Sequence, residues 1–230
     1  MEMEPNGRED LAGVLDSLKG RLDRERGLRG RLRSLSTRVR HALVTSLLLV
    51  SLGAVGMLSL RPDAGEHPLL RLLVPAALFL VGVLALARLV LRPLTMREAP
   101  RGTIPVVAVL AFLLPAGLAS LPSPYAHPPD VSIGAPFGEP GFFAEAAGCL
   151  AFGVALGLPV LLLLRILDRR DRPDAGRRFL LAGAAGLAGV LALLLHCPLV
   201  PNAHLLLGHA TVPLALLVPA FLIARRSRGM

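Results

Sequence analysis

Six apolar runs constrain this chain more than any other feature, at approximately 42–60, 69–91, 104–122, 142–164, 179–196 and 204–224. Each is close to the ~20 residues that a helix needs to cross a ~30 Å hydrocarbon core. In lipid, every backbone N–H and C=O must find its partner inside the protein, so runs of this length are predicted to be helices. The connections between runs are short, which predicts antiparallel neighbours. The expected fold is an all-α integral membrane protein with three parts. Residues 1–40 form an amphipathic helical arm, 41–224 a bundle of six transmembrane helices, and 225–230 a basic tail. Pro75, Pro105, Pro115, Pro159, Pro213 and Pro219 fall within or near the runs, where neighbouring helices can shield the carbonyls they free. Gly153 with Gly157, Ala182 with Gly186, and Ala185 with Gly189 are small pairs spaced by four. They predict close approach of the fourth and fifth helices.

Charge sets the orientation. The formal net charge is +9, and Lys19 is the only lysine. Such a basic chain suggests nucleic acid, but a multi-span protein needs basic inner loops in any case, so no direct nucleic-acid partner is expected. Arginines gather in the arm, in the second loop (Arg92, Arg97, Arg101), in the fourth (Arg165, Arg169, Arg170, Arg172, Arg177, Arg178) and in the tail (Arg225, Arg226, Arg228). The positive-inside rule then predicts both termini in the cytoplasm of a bacterial inner-membrane protein, with the first, third and fifth loops outside. No cleavable signal peptide is expected, because the first apolar run begins only near Ala42. Nothing resembles a hydrolase triad, a P-loop or a dinucleotide fingerprint, so neither enzymatic activity nor a cofactor is predicted. Apart from Glu145 near the outer end of the fourth run, the runs lack the intramembrane carboxylates that an ion-coupled carrier uses.

The arm carries a leucine stripe. Leu11, Val14, Leu15, Leu18 and Leu22 repeat at helical spacing, and Leu28, Leu32 and Leu35 resume it after a gap containing Gly27. This pattern predicts two amphipathic helices, Glu9–Arg24 and Leu28–Arg40, with a joint between them. The basic second half suits an anionic lipid surface. Acidic residues in the first half, such as Asp16 and Asp23, count against lipid alone.

The two cysteines, Cys149 and Cys197, map to one membrane face, and His196, His204 and His209 flank the second of them. The fourth and fifth runs form a hairpin, so their ends on that face should adjoin. A disulfide is one outcome. Thiols with several histidines are also a donor set for zinc or copper, although the spacing is not that of a known zinc module. His204 and His209 are five apart. On an α-helix that separates them by about 140°, which predicts that they face different ways. Glu145 lies four residues before Cys149, on the same helical face.

The segments AEAAGCLAFG and LLLHCPLVPNAHLLLGHA, with the six-run layout and the forty-residue arm, resemble the NrsF-type anti-sigma factors. The resemblance covers most of the chain by architecture, while its specific motifs are these two short ones. The family's outer cysteine pair falls on Cys149 and Cys197. The family's aromatic pair after the second motif is absent here, and Gly208–His209 stands in that region. The resemblance implies a membrane-bound anti-sigma factor. Its arm, through Leu11, Val14, Leu15, Leu18, Leu22, Leu28, Leu32 and Leu35, would hold an extracytoplasmic-function sigma factor until a signal at the outer face, such as a redox one, releases it. The residues alone support a second expectation: a small metal-handling or transport protein built on the outer Cys/His group.

Overall fold

A computed structural model describes residues 19, 27–60, 69–92, 103–120, 141–170, 173–197 and 202–226. The described residues are all-α. A short helix α1 (Leu28–Ser34) is followed by α2 (Thr37–Leu58), α3 (Leu69–Val90), α4 (Thr103–Ser120), α5 (Phe142–Leu167) and α6 (Ala175–His196). A single helical turn α7 (Asn202–His204) then runs into a π turn, Leu205–His209, and α8 (Val212–Arg226). Five segments are long and apolar enough to span a membrane: Thr37–Leu58, Leu73–Val90, Phe142–Leu167, Ala175–His196 and Leu205–Ile223. The protein is thus a multi-span helical membrane protein. α4, the remaining apolar helix, has 18 residues.

α6 is the centre. Of its span 78% is buried, against 17% to 39% for the other four, and it touches α2, α3, α4, α5 and α8. Its sequence explains why. Ala182, Gly183, Ala184, Ala185, Gly186, Ala188 and Gly189 leave little side chain on the helix, so neighbours pack against its backbone. A Cβ on Gly157 would sit 2.6 Å from the Ala185 carbonyl oxygen, and one on Gly189 would collide with the Gly153 carbonyl. The small pairs therefore do bring the fourth and fifth apolar helices into close contact. Gly186 plays the same part against Pro213 of α8.

The arm differs from the predicted pair of helices. Its second helix stops at Ser34. The Leu35–Ser36 backbone is extended, and Ser36 Oγ accepts from Val39 N–H at 3.4 Å to cap α2. Serine at an N-cap satisfies a donor that the helix leaves open, so Thr37–Arg40 belong to the first turn of α2. Leu28 is 75% exposed, whereas Leu32 packs against the bundle core. Leu11, Val14, Leu15, Leu18 and Leu22 lie outside the described residues.

One end of the bundle is held by arginines. Asp168, fully buried at the end of α5, accepts from Arg177 Nε at 2.9 Å and Nη2 at 2.8 Å. Arg177 Nη2 also donates to the Val90 carbonyl of α3. Arg40 of α2 donates to the Leu167 carbonyl at 3.1 Å. Arg169 donates to the carbonyls of Arg33 at 2.9 Å and Leu35 at 3.2 Å, which ties α1 to the end of α5. The helix termini leave carbonyls without intrahelical partners, and these guanidinium groups supply donors to them.

Candidate functional site

At the opposite end, three segments meet. Cys149 lies on α5, Cys197 caps the end of α6, and His204 and His209 bracket the start of the last span. Both cysteines are free thiols, and their Sγ atoms are 3.5 Å apart. Cys197 Sγ lies 3.4 Å from His204 Nε2. The rings of His204 and His209 stand edge to face, 5.5 Å between centroids. One ligand atom from each of the four residues lies within 4.8 Å of all the others. Cys149 is half-buried, and Cys197, His204 and His209 are buried.

The π turn makes this possible. Its hydrogen bond runs from Ala210 N–H to the Leu205 carbonyl, five residues back, at 2.9 Å. One extra residue per turn brings positions five apart nearly onto one face. The α-helical expectation that His204 and His209 diverge is therefore overturned. Such turns are rare and recur at functional sites. Gly208 completes the approach: a Cβ there would lie 3.2 Å from both the Ala146 carbonyl oxygen and Cys149 Cβ. The backbone of the turn rests directly on α5 beside the thiol.

His196 has a different role. Its Nδ1 lies 2.8 Å from the Ser59 carbonyl at the end of α2, and its ring stacks on Phe152 at 4.3 Å. It joins α2, α5 and α6 and stands outside the donor group, although it adjoins Cys197 in sequence. His67 and His127 lie outside the described residues. Glu145 is exposed, one turn along α5 from Cys149.

The four donor atoms are of the kinds that could hold a metal ion. Zinc bonds of about 2.3 Å to sulfur and about 2.0 Å to nitrogen give a tetrahedron with S–S edges of about 3.8 Å and S–N edges of about 3.5 Å. The observed 3.5 Å and 3.4 Å separations fit those edges to within about 0.3 Å. Two edges, Cys149–Cys197 and Cys197–His204, are thus already near those lengths. His204 Nδ1 is buried without a hydrogen-bond partner, so the ring is oriented by its Nε2 contact with the thiol.

No protein-family model matches the chain, and neither curated proteins nor solved structures offer a similar one. What the fold and the site define is a class: a multi-span helical membrane protein with a buried two-thiol, two-imidazole group at one end of its bundle.

Proposed function

We propose that this chain is a metal-handling protein of the bacterial inner membrane. It holds one zinc-class ion at Cys149, Cys197, His204 and His209. The convergence of four soft or borderline donors on one buried point carries this reading. Thiols this close in a closed, apolar setting also suit an ion that takes four ligands and leaves no open position, the pattern of a site that holds its metal without catalysis. By the positive-inside rule the arginine end faces the cytoplasm and the thiol end faces out, with α4 as the sixth span. Binding fits better than translocation. From Leu180 to Leu193 the buried face of α6 is apolar, and an ion crossing the membrane needs polar stations. The test is zinc content of the full-length protein purified in detergent. One ion per chain is expected, falling to background in Cys149→Ser and Cys197→Ser; a wild type that takes up none overturns the reading.

A second reading has its own observation. The described part of the arm is held by Arg169 on the Arg33 and Leu35 carbonyls, by Arg33 donating to the Ile166 and Arg170 carbonyls, and by Leu32 against the core, contacts that a competing partner can displace. That suits an anti-sigma factor whose arm, including Leu28, Leu32 and Leu35, passes from the bundle to an extracytoplasmic-function sigma factor. α6 runs from the metal site to the Asp168–Arg177 pair beside this clasp, since Cys197 caps one end and Arg177 sits in its first turn, so a single helix spans the distance between the two. Pull-down with residues 1–40 fused to a soluble carrier should recover a sigma factor from a lysate of the source organism. Recovery of none removes this second reading and leaves the metal site untouched.

A further inference from the structure

We propose that Glu145 is the capture ligand through which a divalent cation reaches the four-donor site; this rests on the metal reading above. The residues form a ladder from solvent inward. Glu145 is exposed, Cys149 is half-buried, and Cys197, His204 and His209 are buried. Glu145 and Cys149 are four apart on α5, so one helical turn of about 5.4 Å separates them along a shared face. The carboxylate lies on the exposed part of α5, one turn nearer the start of the helix than the half-buried thiol. Among the described residues it is the one carboxylate at this end, because Asp168 and Asp174 lie at the other.

A cation approaching the site meets neutral thiols and imidazoles beneath a single negative charge. Carboxylate oxygen is a good first ligand for zinc. Passing the ion one turn inward then exchanges oxygen for sulfur: each thiol that binds releases its proton to water, and two Zn–S bonds replace two S–H bonds. The finished site, one dication with two thiolates and two neutral imidazoles, carries no net charge. Glu145 therefore attracts the ion on its way in and has little hold on it once bound. This separates capture from structural roles such as pairing with the positive N-terminal end of α5.

The experiment is stopped-flow zinc uptake by the full-length protein in detergent, at low and high salt, with Glu145→Gln and Glu145→Asp. The glutamine variant should load to the same stoichiometry, with association and dissociation both slowed about tenfold and the salt dependence of association flattened. Aspartate should restore most of the rate. An unchanged or faster rate in Glu145→Gln overturns the proposal while wild-type loading keeps the metal site standing. A wild type that binds no zinc overturns both.

Discussion

The donor group depends on residues that look alike in sequence and differ in placement. His196, adjacent to Cys197, turns to the Ser59 carbonyl, while His204, seven residues from Cys197, meets its sulfur. His196→Ala should therefore keep its zinc, whereas His204→Ala and His209→Ala should lose affinity by at least about tenfold; competition with a chromophoric chelator measures this. Equal losses in all three would show that the stacked histidine belongs to the site as much as the π-turn pair does. The sequence brought these side chains to one membrane face without showing which ones meet. Cys149 and Cys197 were legible as neighbours because a hairpin of two membrane spans returns its ends to the same level. The meeting of His204 and His209 was not, because the 3.6-residue period sends positions five apart in different directions. Only the extra residue of the π turn reverses that. Gly208 was a visible signal, since a glycine beside a histidine in an apolar run invites close backbone approach.

At the scale of the helices, the apolar runs were legible because backbone satisfaction in lipid leaves few alternatives. The helix ends were less so. Hydropathy begins at Ala42, yet α2 begins at Thr37, because Ser36 caps it and Arg40 is buried against the Leu167 carbonyl. The Asp168–Arg177 pair was hidden in a loop crowded with arginines, where nothing distinguishes the one that is bidentate from the rest. Its contribution is open to measurement. Asp168→Asn leaves Arg177 buried without its counter-charge and should destabilise the bundle by about 3 kcal/mol or more. Thermal unfolding in detergent would register this, and the double variant Asp168→Leu with Arg177→Met should recover much of the loss. A single variant as stable as wild type would mean that water reaches the pair and screens it.

Taken as one molecule, the bundle has two chemically distinct ends joined by a helix that nearly every other helix touches. One end consists of arginines that hold main-chain carbonyls and a short arm helix. The other gathers thiols and imidazoles. α6 contributes to both, with Arg177 in its first turn and Cys197 at its last. Its small residues let α5 and α8 approach closely, which sets Cys149 of α5 and the π turn leading into α8 beside Cys197. The resemblance to NrsF-type anti-sigma factors supplied an expected role for the arm. The departure from that pattern, Gly208–His209, falls on the residues that complete the donor group, so the ligand chemistry of this chain is argued from its own side chains. The most direct measurement is X-ray absorption at the zinc edge on the full-length, zinc-loaded protein. A shell of two sulfurs at about 2.3 Å and two nitrogens at about 2.0 Å is predicted. A shell of oxygen and nitrogen alone, with both thiols still free to react, would contradict the account.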